Sequence, residues 1–152
     1  MFRVESKGQN RMAARSGRNA RFMVSGGPVV CIVDDDPSVR RALARLVRSC
    51  GLQVETHASA DEYLDAAHAD GVACVVLDVH LGHVSGLDLR ERIVSQPAPP
   101  PVILMTAHDD AQTRERIAKC GAPGYLRKPF ESFALLEAIG QAIGRRLVPP
   151  QR

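Results

Sequence analysis

The polarity of the chain falls into a repeating alternation of short apolar runs and longer amphipathic stretches. Val29–Val33 is continuously apolar, the pattern of a strand buried on both faces of a parallel sheet. Asp36 and Pro37 then supply a cap and a first-turn residue for a helix. Val39, Ala42, Leu43, Leu46, Val47 and Cys50 recur at helical spacing, while Arg40, Arg41, Arg45 and Arg48 occupy the other face. Gly51 stops this helix.

The alternation continues to the end. Gln53–His57 predicts a weaker strand, and Ser59 caps a helix running to about Ala67. Val72–Leu77 predicts the strongest strand, His80–Ser85 a loop and Gly86–Ser95 a helix. A proline-rich connection at 96–101 leads to a strand at Val102–Met105. A helix at Asp110–Lys119 ends at Gly121, a short strand covers Gly124–Arg127, and Glu131–Ile143 is the last helix. On that helix Phe133, Leu136, Ile139 or Gly140, and Ile143 are expected to line one face. Five β–α units in series predict the α/β class: a doubly wound (βα)5 fold with a five-stranded parallel sheet and helices on both faces.

Composition narrows the picture. Aromatics make up 4% of the chain and Trp is absent, so Val, Leu, Ile and Ala must fill the core. No apolar run reaches the roughly 18 residues of a membrane span, and the N-terminus lacks a secretory apolar stretch. Cys31, Cys50, Cys74 and Cys120 form no CxxC, and none has a His at zinc-ligand spacing. Four reduced cysteines in a cytoplasmic protein are expected.

The net charge of +3 is unevenly spread. Arg3, Lys7, Arg11, Arg15, Arg18 and Arg21 face only Glu5 within residues 1–28, so the remainder is mildly acidic. These boundaries suggest a disordered basic leader at 1–27, a folded domain at 28–144 and a short tail at 145–152. The leader reads as an unstructured tail, or as residues ahead of a true start at Met23. The alternative is a basic arm for nucleic acid or acidic lipid, and nucleic acid is not the expected partner.

Ligands of doubly wound sheets bind at the carboxyl ends of the strands. There the chain places Asp34-Asp35-Asp36, Asp78, Thr106-Ala107 and Lys128-Pro129. Clustered carboxylates repel one another, and a hard divalent cation such as Mg²⁺ removes the conflict. A carboxylate beside Mg²⁺, an ammonium and a hydroxyl is what phosphoryl transfer to Asp requires.

With these residues in place, the chain resembles the CheY-like receiver domains of two-component response regulators, which have the flavodoxin-like fold. The resemblance covers about residues 28–144. It rests on Cys31-Ile32-Val33-Asp34-Asp35-Asp36-Pro37, Val75–Leu81 with Ser85-Gly86-Leu87, Ile103–Ala107, and Gly124–Phe130. The Asp78 segment looks most like the FixJ-type subgroup. The resemblance implies that Asp78 is the phosphoacceptor and that Asp35, Asp78 and the His80 backbone carbonyl ligate Mg²⁺, with Asp34 holding it through water. Thr106 and Lys128 would bind the phosphoryl group, and Tyr125 would turn inward as Thr106 moves. It also implies a cis Lys128–Pro129 peptide, and a sensor histidine kinase or histidine phosphotransfer protein as donor. The output would be a reshaped surface of the last two helices and the strand between them, with a phosphorylation-dependent homodimer as one consequence.

Two departures stand out. Gly82 replaces the usual Pro after Leu81 and is expected to loosen that loop, and Pro123 replaces a small or polar residue. In the family that the chain resembles, side chains at the positions of His80 and His108, two residues past Asp78 and Thr106, tune water attack on the acyl phosphate. The plainer reading makes them exposed loop histidines, and it is preferred for His108. His80 and His83 on that loop make a weak transition-metal pair. The short tail cannot hold a helix-turn-helix, so a stand-alone regulator is expected; a phosphate sink or relay, or a fragment of a longer DNA-binding regulator, is the alternative. A haloacid-dehalogenase-type phosphatase would share Asp34-x-Asp36 but needs an acidic motif after Lys128, where only the helical Glu131 and Glu137 follow.

Overall fold

The computed structural model describes residues 29–68 and 71–151. The expected leader at 1–27 lies outside the described residues. The element order is β1 (Val29–Val33), α1 (Pro37–Ser49), β2 (Gln53–His57), α2 (Ala60–Asp65), β3 (Cys74–Asp78), β4 (His80–Leu81), β5 (Val84–Ser85), α3 (Gly86–Val94), β6 (Val102–Thr106), α4 (Ala111–Lys119), β7 (Tyr125–Arg127) and α5 (Ser132–Ile143). The main sheet is parallel throughout, in the order β2-β1-β3-β6-β7. The chain steps outward from β1 to β2 and then returns to β3 on the other side. The strand order therefore reverses between β1 and β3, which places the ligand crevice at their carboxyl ends.

Strand alternation feeds two cores. Cys31, Val33, Val75 and Leu77 pack with Tyr63 of α2, Leu89 and Ile93 of α3 and Ile117 of α4. Val30, Ile32, Val76 and Met105 point the other way, against Leu43 and Val47 of α1 and Leu135 and Ile139 of α5. A strand covered on both faces has no polar side to show, which is why β1 and β3 read as unbroken apolar runs. Asp36 and Ser59 cap α1 and α2 as expected, and Asp110, expected as the first helical residue, caps α4; each side chain accepts from backbone amides of the first turn. No helix among the described residues is long and apolar enough to cross a membrane.

Four expectations need correction. The second helix stops at Asp65, not Ala67, because Ala66 is extended and the His68 ring folds back to the Tyr63 carbonyl at 2.9 Å, satisfying an acceptor the helix leaves open. The third strand begins at Cys74 rather than Val72 and includes Asp78, which pairs with Met105. The 80–85 loop is a hairpin, β4 pairing antiparallel with β5. Its turn has Gly82 at φ +62° as first central residue, the position that a primed turn reserves for glycine. Gly82 thus builds the turn it was expected to loosen.

The last correction concerns Phe133, which is 73% exposed. The buried stripe of α5 is Leu135, Leu136, Ile139 and Gly140, and Phe133 lies about a quarter-turn round the helix from its centre. Leu135→Ala should therefore cost about 2–5 kcal/mol, whereas Phe133→Ala should stay within about 0.5 kcal/mol. Urea unfolding of the two variants against wild type checks the contrast.

Candidate functional site

Four strand ends meet at the crevice. Asp34 follows β1, Asp78 ends β3, Thr106 ends β6 and Lys128 follows β7. The Lys128 Nζ lies 2.5 Å from Asp34 Oδ2 and 3.0 Å from Asp78 Oδ2. Lys128 is positioned through its backbone, whose amide donates to the Thr106 carbonyl at 2.7 Å, and it precedes a cis peptide to Pro129. One ammonium thus ties together the ends of three strands.

The acids are fixed in turn. Asp34 is fully buried. Its Oδ1 accepts the Asp36 amide at 2.9 Å, and its carbonyl accepts the Arg40 guanidinium at 2.7 Å. The Asp78 Oδ1 accepts the His80 amide at 3.0 Å. Asp35 is exposed, yet carboxylate oxygens of Asp34, Asp35 and Asp78 all lie within 4.8 Å of one another. Burial raises the Asp78 carboxyl above the usual carboxylate range, against the lowering effect of the His80 amide and Lys128. Burial also disfavours the Lys128 charge, but its bonds to Asp34 and Asp78 outweigh this and raise it.

Three further features surround the acids. Gly86 donates its amide to the Val79 carbonyl at 2.6 Å, and a Cβ there would lie 1.9 Å from the Asp78 carbonyl oxygen. Only glycine lets α3 start this close to the acceptor strand. The Thr106 hydroxyl donates to the His108 carbonyl at 3.1 Å and accepts the His108 amide at 3.0 Å, so it is closed on its own loop. The Tyr125 hydroxyl donates to Asp109 Oδ1, and Asp109 also faces Arg114 and Arg127 at 3.8 and 3.6 Å. Asp109, which the sequence reading passed over, is therefore the tether of the β6–α4 loop.

The histidines divide. His108 is exposed, as preferred, whereas His80 is half-buried and stacks edge-on against it with ring centroids 4.7 Å apart. His83 belongs to no cluster of potential metal ligands among the described residues, so the loop pair His80 and His83 has no third donor.

The chain is similar in sequence and fold to known proteins. Residues 30–140 match the response regulator receiver domain family. The transcriptional regulatory protein FixJ of Azorhizobium caulinodans is 39% identical over 116 residues, 76% of this chain and 55% of its own length. The response regulator protein TodT of Pseudomonas putida is 36% identical over 132 residues, 87% of this chain and 57% of its own. The chain therefore spans little more than half the length of these relatives. The crystal structure of a response regulator receiver protein from Burkholderia phymatum superposes with a TM-score of 0.68 at 39% identity, covering 82% of this chain and 99% of that one.

The electrostatics can be tested without phosphate. Lys128→Met leaves Asp34 and Asp78 facing each other across a partly buried gap, which should cost about 2 kcal/mol or more at neutral pH. A carboxyl raised on folding stabilises the fold most in acid and loses that contribution as pH rises through its raised value. Removing the ammonium raises it further. The penalty should therefore shrink from pH 7 to pH 4.5, and shrink at pH 7 with saturating Mg²⁺, in urea melts.

Proposed function

The chain belongs to the response regulator receiver domain family, and on that premise we propose that Asp78 is the residue that takes up the phosphoryl group. The observation that carries the assignment is the Lys128 ammonium bridging Asp34 and Asp78 at the switch point of the sheet. In the proposed step an Asp78 carboxylate oxygen attacks phosphorus in line. The new O–P bond forms as the P–N bond of a donor phosphohistidine breaks, and the Asp78 oxygen becomes part of an acyl phosphate. The raised Asp78 carboxyl means a carboxylate less comfortable in its charge than one in water, while the bridging Lys128 favours the ionised form and aims it. The protein is a signalling domain that reacts on its own side chain, not an enzyme turning over a free substrate.

The acidic nest fits a hard divalent ion. Asp34, Asp35 and Asp78 offer oxygens close enough to share one centre, and the exposed Asp35 leaves it open to solvent. Asp35, Asp78 and the His80 carbonyl would hold Mg²⁺ directly, with Asp34 behind them. Bound there, the ion supplies positive charge against the phosphoryl oxygens.

The loop bonds suggest how the signal leaves. An added phosphoryl group carries about −1.5 to −2 charge. It competes for the Thr106 hydroxyl against the His108 carbonyl, and for Lys128 against Asp34. Moving Thr106 draws the β6–α4 loop toward Asp78, away from the position in which Asp109 holds Tyr125 outward. Tyr125 then turns in, and the face made by α4, β7 and α5 changes shape. A full reversal from 1:99 to 99:1 needs about 5.5 kcal/mol, and one charge-assisted hydrogen bond gives about 1.5–3. Thr106 and Lys128 must therefore act together. The donor is a sensor histidine kinase or a histidine phosphotransfer protein in the cytoplasm. The receiver of the signal is a protein docked on the α4–β7–α5 face, a second copy of the chain among the candidates.

Incubation with acetyl phosphate and Mg²⁺ followed by intact mass should add one phosphate to wild type and none to Asp78→Asn. Equal labelling of the two would end the assignment. Tyr125→Phe removes the hydroxyl that Asp109 holds, so it should bind the phosphoryl mimic beryllofluoride several-fold more tightly than wild type. Weaker binding would show that the Asp109 contact does not favour the unphosphorylated state.

A further inference from the structure

A second polar cluster lies on the paired strands β1 and β2, beneath the chain that leaves α2. The β1–β2 pairing sets Cys31 opposite Glu55 and Val33 opposite His57. Alternation then puts Cys31, Glu55 and His57 on one face, and the chain leaving α2 brings His68 onto them. The Glu55 Oε2 lies 3.8 Å from Cys31 Sγ, 3.8 Å from His57 Nε2 and 3.4 Å from His68 Nδ1. The four potential donor atoms all lie within 4.8 Å of one another.

The nitrogens there lack partners. His57 is only 8% exposed, and its Nε2 is buried with no hydrogen bond; the same holds for His68 Nδ1. The tautomer of His68 follows from its other nitrogen. A carbonyl oxygen can only accept, so the contact to the Tyr63 carbonyl at 2.9 Å puts the proton on Nε2. His68 Nδ1 is thus the nitrogen that faces the Glu55 carboxylate, at 3.4 Å. Two imidazoles, a thiol and a carboxylate thus converge, and the one hydrogen bond among them is the long contact from the Cys31 thiol to Glu55 at 3.8 Å.

We propose that Cys31, Glu55, His57 and His68 form a binding site for a borderline-soft divalent ion of the zinc type, distinct from the acidic nest. One sulfur, two imidazole nitrogens and one carboxylate are zinc donors rather than magnesium donors. A tetrahedron with bonds of about 2.0–2.3 Å has edges of about 3.3–3.8 Å, and the separations from Glu55 Oε2 match that range. The Tyr63 carbonyl orients His68 as outer partners of metal-bound histidines do, and the Tyr63 ring packs on both imidazoles. Glu55 is exposed and leaves an entry path. Burial pushes the Cys31 thiol up to about 12, so it is protonated without an ion. Binding forms the metal–sulfur bond and releases that proton to solvent, which makes affinity rise with pH.

The test uses the tag-free full chain with Co²⁺ as a spectroscopic probe and Zn²⁺ as competitor. One equivalent of Co²⁺ should produce tetrahedral d–d bands and a thiolate charge-transfer band, both erased by Zn²⁺. His68→Ala and Glu55→Gln should keep the wild-type circular dichroism and weaken Zn²⁺ by about tenfold to a hundredfold. Asp78→Asn, His108→Ala and a Cys50→Ser, Cys120→Ser double variant should retain the bands. Wild type that develops no thiolate band in excess Co²⁺ would overturn the proposal without any variant. So would bands that survive His68→Ala unchanged, or that vanish in the Cys50, Cys120 variant.

Discussion

The fold's crevice depends on one ammonium holding two buried acids. Parallel strands deliver their carboxyl ends to a single rim, and here two of those ends are carboxylates close enough to repel. Burial makes the repulsion more costly, because little water remains to screen it. Lys128 resolves the conflict at 2.5 and 3.0 Å, and its own amide is fixed to β6. The result is a balanced but poorly insulated arrangement. Any new negative charge at Asp78 changes which oxygens Lys128 prefers, and the change is felt at β1, β3, β6 and β7 together.

That arrangement explains why the neighbouring loop is held by interchangeable bonds. Thr106 spends its hydroxyl on His108, and Tyr125 spends its hydroxyl on Asp109. Neither bond is part of the sheet ladder, so both can be exchanged without unfolding a strand. The rigid parts serve the opposite purpose. Gly86 lets α3 begin against the Asp78 carbonyl, and the β4–β5 hairpin anchors the segment that carries the His80 carbonyl. The crevice thus has one wall set by the start of α3 and the hairpin, and one held by side-chain hydrogen bonds.

The sequence made most of this legible. Continuous apolar runs marked β1 and β3 because both faces of those strands are covered, and Asp36, Ser59 and Asp110 marked helix starts because their side chains do the capping. The acidic turn, Asp78, Thr106 and Lys128 were legible because each directly follows or ends a strand. What escaped was set by tertiary contact. Phe133 fits a helical period but lies to the side of the stripe that α5 buries. Gly82 looks like a loosened loop until its positive φ is known. Asp109 is an ordinary loop acid until Tyr125 and Arg127 are brought to it from β7. The grouping of Cys31 with His57 and His68 has no local spacing to find, because it is made by strand pairing and by the return of the chain after α2.

The buried polar residues separate these two kinds of information. Among the described residues they are Asp34, His57, Asp78, Thr106 and Thr113. Asp34 and Asp78 share Lys128, Thr106 closes on its loop, and the Thr113 amide is capped by Asp110 at 2.7 Å. His57 keeps a buried ring nitrogen with no hydrogen-bond partner, as do His68 and His80. An unsatisfied buried polar group costs about 1–3 kcal/mol, too much to leave unexplained in a domain of ordinary stability. Its main chain is well used, since the His57 carbonyl accepts the Asp34 amide at 3.1 Å, so the end of β2 is not frayed. The ring is held in place with its Nε2 3.8 Å from Glu55 Oε2. A bound cation would give the ring nitrogen, the thiol and the Glu55 carboxylate one common partner.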